Sequence, residues 1–297
     1  MPQHRLDRHA LRIARALIFI ARDWHLGHLV PPGAAELSAR FLYSYSPREV
    51  HRIARAQSPT FRQFLSALEY LTAPGMALHY AVRKLAIEDQ VRRSIATGAQ
   101  QVVVLGAGLD TLAARLHREY PQVNFIEVDR AEHQEVKRRA LMGQWAASRN
   151  LVFVSADLAR ERLERKLLGT IYVAGAPTVF VAEGTLTAMS HTQRDALFDF
   201  VRTVGGPASS IVFTAMERGP DGRIRFRGAT WLARWWWHWQ GERYQWGPSR
   251  LELEDYLGRH GLRLASLLTT REFRVRYLDG NPDLPLAEGE DIVVAGA

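Results

Sequence analysis

The sequence predicts an α/β protein, a doubly wound and mostly parallel sheet of seven strands behind a helical N-terminal cap. Three observations carry that expectation. Apolar residues in the first part of the chain recur at three- and four-residue steps. A continuous β-branched run, Gln101-Val102-Val103-Val104-Leu105, then reads as a strand buried on both faces. Beyond it, short apolar runs alternate with helical patterns, which implies right-handed crossovers between parallel strands. The boundaries fall at 1–95 for the cap and 96–297 for the α/β domain, with an aromatic-rich insertion at about 219–250.

In the cap, Leu6, Ala10, Ile13, Leu17 and Ile20 share one helix face, and Pro31-Pro32-Gly33 ends the pattern. Phe61, Phe64, Leu65, Leu68 and Leu71 begin a second face. Pro74-Gly75 interrupts again, and 76–95 reads as a further helix. After the first strand, strands are expected at 123–128, 151–154, 178–182 and 210–214. Helices are expected between them at 111–120, 132–147, 158–168 and 192–204. A helix at 250–260 and strands at 263–268 and 291–295 would close the sheet, one of the two strands antiparallel.

Hydrophobic residues make up 47% of the 297, enough for a core that needs no disulfide or metal staple. There is no cysteine, which excludes thiol nucleophiles and thiolate metal sites, and no metal is expected. The formal charge is +8, but only three of the 39 basic residues are lysines and the arginines are scattered. The charge therefore reads as residue usage rather than as a nucleic-acid footprint. Leu17-Ile18-Phe19-Ile20 follows arginines, yet Arg22 and Asp23 succeed it with no small-residue cleavage site. No apolar run approaches the ~20 residues of a membrane span, so a cytoplasmic location is the default expectation.

The first strand runs into Gly106-Ala107-Gly108-Leu109-Asp110-Thr111 and then a helix. Glycines at such a bend let the chain turn sharply and a ligand approach the backbone. Thr111 stands where a dinucleotide fingerprint has its third glycine, and no Gly-Lys-Ser/Thr follows for a phosphate loop. Acids instead sit at successive strand ends: Glu127 and Asp129, then Asp157, then Glu183. Carboxylates repel a pyrophosphate but suit a ligand with ribose hydroxyls, an amino group and a positive sulfonium. S-adenosylmethionine has all three. Asp129 and Asp157 also fit ordinary turn or capping roles, whereas Glu183, between an apolar strand and Gly184, is harder to explain structurally.

These segments, with Val181-Ala182-Glu183-Gly184, closely resemble the leucine carboxyl methyltransferase-like family over Val82 to Val204. Gly241-Glu242-Arg243 through Gly261-Leu262 is similar to the family's C-terminal pattern. The resemblance implies a sheet of the class I methyltransferase type and S-adenosylmethionine as cofactor. It further implies that Arg83, in Arg83-Lys84-Leu85-Ala86-Ile87-Glu88-Asp89, holds the cofactor carboxylate. Gly106 and Gly108 would lie against the methionyl part, with Ala107 and Asp110 also among the cofactor-binding residues. Asp129 would hold the ribose, with Glu127 a second candidate two residues earlier on the same strand side. Asp157 and Leu158 would bracket the adenine, and Glu183 would lie near the methionyl amino end.

Where the family commonly has a tyrosine five residues after this glutamate, Ala188 stands here, so the acceptor class is not inherited. The acceptor is expected to be a small molecule methylated on a carboxylate or hydroxyl. A carboxylate needs no base, and a hydroxyl would benefit from one. His79, four residues before Arg83 on the same helix face, is the first candidate, ahead of His191, His238 and His260. Trp231, Trp235, Trp236, Trp237 and Trp239 cluster, and Trp231 and Trp235 share a face that would line an apolar acceptor pocket, a core or a subunit interface. The alternatives are a cofactor-binding regulatory protein without turnover, which the Ala188 departure favours, and a nucleic-acid methyltransferase, which the charge favours.

Overall fold

The computed structural model describes residues 6–56, 58–142, 148–219, 221–231, 233, 235 and 244–296. Strands β1 (Gln101–Leu105), β2 (Asn124–Asp129), β3 (Leu151–Ser155), β4 (Thr178–Ala182), β5 (Ser210–Met216), β6 (Arg263–Leu268) and β7 (Glu290–Gly296) form one sheet. The order is β3-β2-β1-β4-β5-β7-β6. The first five strands are parallel, and β7 runs antiparallel to both β5 and β6. β1 and β4 are buried along their whole length, as central strands covered on both faces must be. The chain passes from β1 to β2 and β3 on one side, then crosses to β4 on the other. The crevice at the carboxyl ends of β1 and β4 is thus the switch point where such sheets bind ligands.

Helices α1 (Arg8–Ile20), α2 (Ala34–Tyr45), α3 (Pro47–Arg55), α4 (Pro59–Thr72) and α5 (Met76–Ala96) precede the sheet. Helices α6 (Leu112–Glu119), α7 (Ala131–Leu141), α8 (Leu163–Leu167), α9 (His191–Val204), α10 (Arg250–Arg259) and α11 (Thr270–Tyr277) follow. One sheet face packs Val103, Ile126, Phe180 and Phe213 against α9 and α10. The other packs Val102, Val104, Phe125 and Val179 against α5, α6 and α11. A third cluster joins α1 and α2 to α6 and α7 through Leu11, Phe41, Ala114 and Val136. The cap is thereby anchored on the helices beside the switch point.

Several elements differ from expectation. Helix at 158–168 shrinks to Leu163–Leu167, because the Asp157 side chain accepts the Ala159 amide (2.9 Å) and holds a turn instead. The helix expected at 132–147 is seen as Ala131–Leu141, and 143–147 lie outside the described residues. Helices α2, α3 and α11 were not singled out in the sequence, although α2 buries Ala34, Leu37 and Phe41 at three- and four-residue steps; α3 is Arg-rich and buries only Glu49 and Ile53. Helix α4 forms as expected, yet it buries none of its residues.

Candidate active site

The chain leaves β1 through Gly106, whose φ of +71° is open to glycine; a Cβ there would stand 2.4 Å from Thr185 Oγ1. Thr185, in the segment after β4, donates to the Leu105 carbonyl (3.1 Å) and so locks the bend from behind. Gly108 follows at φ +50°, with Ala10 of α1 3.3 Å from where its Cβ would be. These two glycines let α1 and the β4 segment close on the loop from opposite sides.

The result is a cleft of about 260 Å³ at the carboxyl ends of β1, β2 and β4. Gly106, Ala107, Gly108, Asp110, Asp129, Asp157, Leu158, Glu183 and Ala188 all line it. The walls carry five carboxylates, from Asp7, Asp110, Asp129, Asp157 and Glu183, against two cations, Lys84 and Arg130.

Asp129 is fixed by the Gly108 amide at one oxygen and by the Arg130 amide (2.6 Å) and His133 Nδ1 (3.1 Å) at the other. His133 Nε2 accepts the Asp7 amide (3.3 Å), so its proton lies on Nδ1 and points at Asp129. Burial would raise the Asp129 pKa; His133 and the two amides outweigh it and hold the group below its ordinary value. Asp110 accepts the Leu112 amide (2.8 Å) and Lys84 Nζ (2.8 Å). Burial is opposed there by Lys84 and Lys137, which bring its pKa down to about 2. Lys84 also reaches Glu183 Oε2 (2.9 Å), so one ammonium ties the β1 loop to the end of β4.

Three residues expected to bind the cofactor or take the proton do not face the cleft. Arg83 is 1% exposed and is spent on two carboxylates, Glu183 Oε1 (2.7 Å) and Glu290 Oε2 (2.6 Å). It acts on the cleft through Glu183, and Lys84 beside it is the cation in the wall. His79 is fully buried among Tyr80, Phe226 and Phe273, with Nε2 2.8 Å from Glu290 Oε2. It does not line the cleft. Glu127 is fully buried against Lys137. Burial foremost, with Asp110 and Asp129 nearby, pushes its pKa up to about 7 despite Lys137.

His191 and His260 lie away from the cleft on α9 and after α10, held by Asp195 and Asp199. Trp231 is exposed and Trp235 lines a separate apolar cavity. Trp236, Trp237, His238 and Trp239 lie outside the described residues. Sequence reasoning missed Lys84, His133, Thr185 and the α1 side chains His9, Ala10 and Ile13. Spacing held a signal for two of them, since Lys84 adjoins Arg83 and His133 stands one helical turn after Asp129.

Residues 28–202 match the family described as leucine carboxyl methyltransferase, more than half of the chain. The chain belongs to this family. The sheet order with its single antiparallel strand is the class I methyltransferase arrangement. A Mycobacterium tuberculosis relative is 33% identical over 136 residues, covering 45% of this chain and 44% of the relative. A Frankia alni relative is 32% identical over 152 residues, covering 50% and 52%. Both are named as S-adenosyl-L-methionine-dependent methyltransferases, and this chain spans about half the length of these curated relatives. A solved O-methyltransferase family protein from Burkholderia thailandensis aligns with a TM-score of 0.48 at 15% identity, over 74% of this chain and 58% of that one. Among the described residues of this family member, no three metal-ligating side chains cluster and no helix is long and apolar enough to cross a membrane.

Proposed function

We propose that this family member is an S-adenosylmethionine-dependent O-methyltransferase acting on a small molecule. The observation that carries the reading is the cleft's charge: five carboxylates and two cations around a glycine bend. Such walls oppose a polyphosphate and favour a ligand that brings a sulfonium and an ammonium. The fit extends to shape, because a side chain at Gly106 would collide with Thr185 and fill the cradle.

S-adenosylmethionine supplies a methyl group on positive sulfur, which passes to a nucleophilic oxygen and leaves a neutral thioether. The chain's part is to bind and orient, and such positioning can contribute on the order of 7–11 kcal/mol. In this reading Asp129 holds the ribose hydroxyls, and its hydrogen bonds keep it charged for that task. Asp157 and Leu158 bracket the adenine, and Glu183, held by Arg83 and Lys84, faces the amino end. Lys84 is the wall cation placed for the carboxylate. For a hydroxyl acceptor the proton goes to His9, whose Nε2 lies 3.8 Å from the position of a Gly184 Cβ at the cleft edge. Ala188 leaves open the space that a tyrosine fills elsewhere in the family.

Calorimetry with S-adenosylmethionine tests the reading. Saturable binding is expected, weakened at least about tenfold in Asp129→Ala and lost in Gly106→Val. No heat from the folded wild-type protein would overturn it. Release of S-adenosylhomocysteine across a panel of carboxylates and phenols separates an enzyme from a non-catalytic cofactor binder.

A further inference from the structure

Behind α1, on the side away from the cleft, lie two apolar cavities of about 520 and 470 Å³. They share Arg12, Ala16, Leu65, Glu69 and Ala77 as walls, so they adjoin end to end beneath α4. This explains why α4 buries none of its residues: the face that Leu65 and Leu68 present inward meets empty space.

The near cavity stops at Tyr80. Tyr80 meets His9 edge to face with ring centroids 5.7 Å apart, and His9 lines the cleft. Ile13, another cleft residue, packs in the same cluster as Tyr80 and Met76. A single layer of side chains therefore separates the near cavity from the cleft.

The two ends differ in charge. Around the near end stand Met76, Tyr80, Ala233 and Trp235. Around the far end stand Arg15, Arg22, Arg52 and Arg55. Arg15 and Arg52 are both bound to Glu49. Arg55 lies over the Phe61 ring, and among the described residues neither it nor Arg22 has a carboxylate partner. An apolar groove with Arg22 and Arg55 at its far end, and with Glu69, the carboxylate where the cavities meet, taken up by the Ala77 amide (2.8 Å), is complementary to an elongated amphipathic anion.

We propose that the two cavities bind an elongated apolar acid whose carboxylate lies between Arg22 and Arg55 and whose other end reaches the His9–Tyr80 layer, so that this ligand sits beside the cofactor cleft and not in it.

The test is calorimetry on the full chain with 12-hydroxydodecanoate and with 1,12-dodecanediol as its uncharged counterpart. Saturable binding is expected for the acid, with the diol about tenfold weaker. Arg22→Gln/Arg55→Gln should remove that preference and leave diol binding unchanged. Leu65→Trp fills the space where the cavities meet and should abolish binding of both, while S-adenosylmethionine affinity is retained as a check on folding. Wild-type protein that binds S-adenosylmethionine but neither probe would overturn the proposal, as would Leu65→Trp with wild-type probe affinity or a charge variant with an intact preference. Loss of S-adenosylmethionine binding alone would instead overturn the methyltransferase reading and leave the cavities' ligand class standing.

Discussion

At the scale of single residues, the imidazoles divide by what already holds them. His133 is fixed between Asp129 and the Asp7 amide, and His79 lies in the core on Glu290. His9 stands at the cleft edge, packed edge to face on Tyr80 with ring centroids 5.7 Å apart. His9→Gln is expected to lower kcat on a hydroxylated acceptor by about 10²–10⁴-fold, with S-adenosylmethionine affinity within about threefold of wild type. Unchanged kcat, read by S-adenosylhomocysteine release, would assign the proton elsewhere. His79→Gln should change stability and leave the pH profile of turnover alone. The strand-end acids were legible in the sequence because a parallel sheet delivers its carboxyl ends to one edge. Glu127 misled for a reason of depth: two residues back along β2 is about 6.6 Å further from that edge, where Lys137 covers it. His79 and Arg83 do share a helix face, as their spacing said, and both reach Glu290 Oε2. That face turns toward β7 rather than the cleft, and nothing local to α5 records which way a helix is rotated.

At the scale of elements, α5 and β7 are joined by charge. Glu290, the first residue of β7, receives both His79 and Arg83. Burial opposes its ionisation, but Arg83 and His79 hold it far below the usual carboxylate range. Replacing one partner of such a buried set strands the rest. Glu290→Gln should therefore cost about 3–5 kcal/mol in urea unfolding and loosen Glu183 through Arg83, so that cofactor affinity falls as well. A stability loss without any change in affinity would show that Arg83 does not transmit to the cleft. Glu290 escaped sequence reasoning because its partners lie more than 200 positions away. Elements with strong period, such as β1 and α9, were legible to within a residue or so. Helix α8 was not, because the Asp157 turn competes with the helical pattern locally.

At the scale of the whole molecule, pH sets stability through acids kept from water. Asp291 on β7 is pushed up to about 7 by burial, with Glu290 and Glu272 adding to the shift against Arg227. A folded value above the unfolded one gives stability that is complete below about pH 4 and lost as pH rises through 7. The loss is on the order of 4 kcal/mol by pH 8. Asp291→Asn is thus expected to raise the unfolding temperature at pH 8 by several degrees and to leave it unchanged near pH 4. An equal shift at both pH values would mean that the gain comes from packing. The mostly parallel sheet with one antiparallel strand near its end was legible from the chain because strand–helix alternation implies crossovers, whereas the order of the strands was not read from it. The cavities were not, since empty volume depends on how α1, α4 and α5 come to rest against one another.

Helix α1 presents Ala10 and Ile13 to the cleft and Ala16 and Phe19 to the apolar cavities. A single rod with a chamber on either flank cannot yield to an occupant of one without shifting the boundary of the other. Whatever settles on one side is therefore felt on the other with no contact between the two guests, through the same thirteen-residue helix.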